Sequence, residues 1–147
     1  MLAKPRNTWH ERSMLRFIVT FAIALAPPVI ALAETLSAEQ FERYTRGKTL
    51  YFGIIGEGPY GAEEYLDNRR VRWSFLDGQC VEGTWYPIED QICFLYESDL
   101  DVQCWRFAFA SGGGLQATFV GDDGSTPLYE ITDASEPLYC QGPDIGV

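Results

Sequence analysis

The chain has 147 residues, 46% hydrophobic and 14% aromatic, with 11 Lys+Arg against 21 Asp+Glu for a net charge of −10, four Cys, two Met and one His. This length suits one domain of ordinary size and excludes a large multidomain enzyme. The acidic balance lacks the basic footprint that a phosphate backbone requires, which excludes nucleic-acid binding.

Residues 1–33 read as a secretory signal peptide. Lys4, Arg6, Arg12 and Arg16 form a basic start, Phe17 to Ala26 is apolar apart from Thr20, Pro27 and Pro28 break the run, and Ala31 and Ala33 supply small side chains for cleavage. A transmembrane anchor fits less well, because Phe17 to Ala33 is only 17 residues, holds two prolines and lacks a basic stop-transfer flank. Met14-Leu15-Arg16 and the apolar run already make a complete short signal, so Met14 is an alternative start. Cleavage after Ala33 gives a mature chain of 114 residues, from which Lys4, Arg6, Arg12, Arg16 and Glu11 are gone, leaving 7 basic and 20 acidic groups, net −13. His10, Met1 and Met14 go with the leader. The expected periplasmic or secreted product therefore has no His for a nucleophile-base pair or metal site, and no thioether for copper. No catalytic residue, metal or cofactor is predicted, and no enzymatic activity is expected.

The predicted elements begin with a short helix. Ser37 is placed to cap it with Gln40 as its capping-box partner, Leu36 and Phe41 occupy the two positions of a hydrophobic staple, and Gly47 supplies the stop. Phe41 and Tyr44, three apart, should face the body of the protein as a plug or lid. From there the pattern turns to short strands every eight to twelve residues, which predicts an all-β fold, a small antiparallel barrel or sandwich of about eight strands. The strands are expected near 49–55, 63–67, 70–76, 80–86, 91–96, 102–110, 115–120 and 128–132. Alternation places Val71, Trp73 and Phe75, and Trp105, Phe107 and Phe109, on interior faces, where they fill a core or line a ligand pocket.

Four cysteines in an exported chain predict two disulfides, with three possible connectivities. A turn over Ser98 to Asp101 would bring Cys93 and Cys104 onto adjacent strands, close enough to join if the hairpin carries a bulge or twist. That favours Cys93 with Cys104 and leaves Cys80 with Cys140, a bridge that ties the C-terminal tail to the barrel.

Gly47-Lys48-Thr49-Leu50, Glu64-Tyr65, Asp77-Gly78, Gly83-Thr84-Trp85 and Ile92-Cys93 with Cys104 following make the segment resemble a family of small exported bacterial proteins whose shared domain has no assigned function. The resemblance covers roughly half of the mature chain, is of the strand-and-turn kind, and implies fold rather than activity. The likeness to lipocalin barrels is looser, without their full signature.

Several residues invite a functional reading. Trp73, Trp85, Trp105 and Tyr60 are the predicted ligand-binding residues, with Tyr60 at the tip of the Gly56-Glu57-Gly58-Pro59-Tyr60-Gly61 loop. Within Gly83-Thr84-Trp85 the structural role is favoured, Gly83 allowing close packing and Trp85 filling the barrel end. Arg69, Arg70 and Arg72 read as a charged hairpin edge that discourages strand pairing between molecules, or as an anion or acidic-lipid contact. Asp99, Asp101, Asp122 and Asp123 lack calcium-loop spacing, and the carboxylate pairs Glu63-Glu64 and Glu89-Asp90 have little room for a sugar cleft. The expected function is binding of a small apolar or aromatic ligand. The alternative is a protein-interaction module steered by its charge onto a basic envelope protein, such as a cationic hydrolase that it inhibits.

Overall fold

A computed structural model describes residues 34–121, 124–134 and 137–141. The leader at 1–33, Asp122, Asp123 and the Gly142-Pro143 ending lie outside the described residues. The chain starts with the predicted helix, α1 (Ala38–Thr45). Both halves of the capping box form: the Ser37 side chain accepts from the Gln40 amide and the Gln40 side chain accepts from the Ser37 amide. These two bonds satisfy amides that the first helical turn cannot pair internally. Gly47, at φ +73°, follows the last turn and frees the chain to enter the first strand.

Eight strands follow, each paired antiparallel with its sequence neighbours: β1 (Thr49–Gly53), β2 (Pro59–Tyr65), β3 (Arg70–Ser74), β4 (Val81–Ile88), β5 (Gln91–Tyr96), β6 (Asp99–Phe109), β7 (Leu115–Phe119) and β8 (Leu128–Ala134). β8 returns to pair with β1, so the sheet is a closed barrel rather than a sandwich. Closure removes every edge. The reading of Arg69, Arg70 and Arg72 as an edge device is thereby corrected, since β3 is paired on one side by β2 and on the other by β4.

Both disulfides have the predicted partners. Cys93 and Cys104 face each other across β5 and β6 with Cα atoms 4.0 Å apart. The Cys104 carbonyl accepts from Val120 on the far side of β6, so toward β5 Cys104 belongs to the closely spaced kind of antiparallel pair, which lacks direct hydrogen bonds. The expected irregularity is present, a register shift between Phe94 and Tyr96. The turn is tighter than expected: Tyr96 pairs with Asp99, so Asp99 and Asp101 lie on β6. Cys80 joins Cys140, and the Gln141 amide donates to the Gly78 carbonyl, so the tail runs beside the β3–β4 loop.

The barrel is filled at one end only. Phe41, on α1, is fully buried and meets four rings of the barrel: Phe107 at 4.5 Å, Trp85 at 5.2 Å, Tyr65 at 5.6 Å and Phe94 at 6.5 Å between centroids. Leu36, Leu50, Val71, Ile92 and Leu115 complete this core. The helix is tied down at its margins. The Leu36 amide donates to the Phe107 carbonyl, the Tyr44 hydroxyl to Glu130, and Arg69 pairs with Glu42 at 3.4 Å while its guanidinium lies 4.7 Å over the Trp85 ring. Arg69 adopts φ +59° to make this reach, a conformation that costs a non-glycine residue about 1 kcal/mol or more and persists because these contacts hold it.

Because Phe41 is the one helix side chain inserted among four rings, Phe41→Ala should leave a cavity that the rigid barrel cannot collapse. The expected loss is about 3–5 kcal/mol of unfolding free energy, read as a lower urea midpoint with the slope unchanged.

Candidate binding site

Beyond the plugged end the barrel holds a cavity of about 500 Å³. Its wall follows from strand alternation: the inward positions of β2, β3, β5, β6 and β7 bring Glu63, Trp73, Tyr96, Gln103, Trp105 and Phe119 onto one surface. Trp105 and Phe119, paired across β6 and β7, meet edge to face at 5.0 Å, and the rings of Phe94 and Tyr96 stack at 6.1 Å. The volume lies within the range of small-molecule pockets, and the lining is mainly apolar with a few polar groups.

The mouth is aromatic. Tyr60, Trp73 and Phe75 contact one another, with centroids 5.5 to 6.1 Å apart. Phe75 is corrected from core to rim: β3 ends at Ser74, and Phe75, 56% exposed, stands where the alternation has stopped. Tyr60 is also relocated. β2 begins at Pro59, four residues earlier than the sequence pattern indicates, so Tyr60 is a strand residue beside the mouth instead of a loop tip. Proline is tolerated there because it is the first residue of the strand. Gly61 explains how Trp73 fits: a Cβ on Gly61 would lie 2.2 Å from the indole, so the missing side chain is the space that the ring occupies.

Of the four predicted ligand-binding residues, Trp73, Trp105 and Tyr60 therefore line one cavity. Trp85 does not. It is buried at the filled end between Phe41 and Arg69, where the structural role put it. The accompanying Gly83 permits close strand contact, since a Cβ there would meet the Leu95 carbonyl at 2.8 Å. Phe109, expected inside, is half exposed at the plugged end against the Tyr44 ring, 5.3 Å away.

Glu63 is the polar residue that the aromatic pattern did not reveal. It points into the barrel from β2, is only 2% exposed, and accepts a hydrogen bond at Oε2 from the Tyr96 hydroxyl at 2.7 Å. Its other oxygen, Oε1, is buried without a partner, and so is Ser125 Oγ; both side chains line the cavity. Burial pushes the Glu63 carboxyl up to about 8, against the opposing pull of the Tyr96 hydrogen bond, and burial likewise raises the Tyr65 and Tyr96 hydroxyls. With Oε2 accepting from Tyr96, the proton that neutralises Glu63 belongs on Oε1.

Glu64, next in sequence, faces the outside and pairs with Arg72 at 3.2 Å, which also holds Glu82 at 2.6 Å. Alternation thus puts Glu63 and Glu64 on opposite faces, and the two cannot act as a carboxylate pair. Arg69 and Arg72 are both engaged with carboxylates, so the three arginines do not form a common anion site. Asp90 pairs with Arg106 at 2.7 Å, and the hydrogen bond from that guanidinium is the main cause that lowers its carboxyl.

Comparison with protein-family models, curated proteins and solved structures returns no match. Among the described residues no helix is long and apolar enough to cross a membrane.

The buried carboxyl makes stability depend on pH. Its folded value, about 8, is raised above the ordinary 4.5, so the folded state holds its proton more tightly. The contribution is fully present below pH 4.5 and is lost as pH rises toward 8. Relative to Glu63→Gln, the native protein should lose on the order of 4 kcal/mol across that window. Melting temperatures of the two proteins from pH 4 to pH 9 would check this: the variant's curve should be the flatter, and the variant the more stable above pH 8.

Proposed function

We propose that the chain is an exported, non-enzymatic binding domain that holds a small apolar or aromatic molecule in the open half of its barrel. The observation that carries this reading is the 500 Å³ cavity walled by Trp73, Trp105, Phe119 and Tyr96 in a barrel whose other end is packed solid. A barrel serving only as a scaffold gains by filling its interior, because each methylene-sized void costs about 1 kcal/mol. Here Gly61 makes room for Trp73 at the mouth, and the wall leaves two polar oxygens unpartnered. Both features are expected of a surface shaped around a guest. Export is supported by the two disulfides and by the basic-apolar-small order of residues 1–33.

The neutral fluorophore N-phenyl-1-naphthylamine tests it. Saturable uptake is expected, with energy transfer from Trp73 and Trp105 and a Kd of roughly micromolar order. Gln103→Trp, which places a large ring in the cavity from a partly exposed position on β6, should abolish uptake while leaving the fold intact by circular dichroism. Equal uptake by the filled variant, or none by the native protein, would reject the cavity as a binding site.

A further inference from the structure

Charge and hydrogen-bonding capacity inside the cavity are both one-sided. Its described lining includes two acidic side chains, Glu63 deep in the barrel and Asp99 at the mouth, and no Lys, Arg or His. The rings of Trp73, Trp105, Phe94, Tyr96 and Phe119 add the negative faces of their π-systems. Glu63, only 2% exposed, offers the cavity an oxygen, Oε1, that has no hydrogen-bond partner among the described residues. A buried carboxylate is normally found with a cation or with several donors; this one has a single hydroxyl.

Resting on the binding function above, we propose that the guest is a small organic cation, an ammonium with an apolar body, whose charged head meets Glu63 Oε1 among the aromatic rings. An anionic guest would face two acidic side chains and no basic group in the described lining. A neutral guest would use the rings but leave Oε1 without a charged partner. An ammonium answers all three features at once: charge opposite to the carboxylate, attraction to ring faces, and N–H or polarised C–H groups toward the open oxygen. The proton on Glu63 must leave as the cation enters, so binding releases a proton and tightens as pH rises toward the value at which the free carboxyl ionises. The neighbouring titratable groups are Tyr65 on the same strand, Tyr96 from β5, Asp99 from β6 and, near Tyr65, Glu130 from β8; β1 and β3 face Glu63 with Leu50 and Trp73. Tyr65 and Tyr96 are raised above their usual range and stay neutral through this window. Glu130 is bound to the Tyr44 hydroxyl and the Leu115 amide at the plugged end.

Phenyltrimethylammonium and its neutral isostere tert-butylbenzene make the test, each competing with N-phenyl-1-naphthylamine. The ammonium carries a permanent charge, so any pH dependence belongs to the protein. At pH 8.5 it should bind about tenfold or more tighter than tert-butylbenzene, and it should weaken by about tenfold or more on going to pH 6. Glu63→Gln should bring the two ligands within about twofold of each other and flatten the pH profile. Tyr96→Phe removes the hydroxyl that favours the ionised form and should move the profile to higher pH, a displacement that a misfolded protein would not give. If tert-butylbenzene binds as tightly as the cation, or Glu63→Gln keeps the preference, the ammonium assignment falls and the apolar cavity stands. If neither ligand nor the fluorophore binds, both fall.

Discussion

The insertion of Phe41 into the barrel is the contact on which the remaining organisation depends. An eight-stranded barrel has an interior that its own side chains can just fill, or that can hold one small ligand. Phe41 decides which end does which. Its ring completes a core with Phe107, Trp85, Tyr65 and Phe94, so the strand residues at that end need only reach the helix, not one another. At the far end no helix enters among the described residues, and the same alternation of inward side chains encloses space instead of a core. The capping box, the Tyr44–Glu130 hydrogen bond and the Arg69–Glu42 pair all act on the same element and fix the position of the plug.

The polar group in the open half has a defined energetic character. Glu63 is tolerated because its proton can stay, which turns a charge burial that would cost many kcal/mol into the smaller cost of a neutral acid with one hydrogen bond. On the outer face of the same strand Glu64 pairs with Arg72, which also holds Glu82. Two consecutive glutamates therefore meet opposite surroundings, one a cavity wall and the other an arginine, for a reason as simple as the two-residue period of a strand. The exterior carries the strong negative charge of the chain; the interior answers to its own local chemistry.

Much of this fold was legible in the sequence because its signals are local. Ser37 with Gln40, Gly47 after the helix and the turn residues between strands mark elements whose limits depend on neighbours a few positions away, and the structure has the helix and eight strands in the expected order, with β2 and β6 starting earlier than those signals indicate. The disulfides followed from register, since a hairpin over β5 and β6 brings Cys93 opposite Cys104. What escaped depends on contacts distant in sequence. The early start of β2 is set by pairing with β1, against the turn-forming character of Gly58-Pro59. Alternation places both Phe75 and Phe109 on interior faces, yet one stands at the mouth and the other half exposed against the plug, because alternation names a face and not a height along the barrel. Glu63 reads in the sequence only as half of a carboxylate pair with Glu64, and its partner Tyr96 lies 33 positions away.

The pairing of β1 with β8 has a consequence for how the chain comes to be folded. Nearly the whole domain separates the two strands that close the barrel, and Phe41 rests on a residue as distant as Phe107. Contacts of such long range make folding slow relative to a helical bundle of equal size, because loop entropy is spent before closure rewards it. The helix is also made first, so until β6 exists its apolar ring has no place to go. A chain emerging from a ribosome or a secretion channel would have to stay open almost to its end, with the Cys93–Cys104 hairpin as the early local structure able to form without waiting for the last strand.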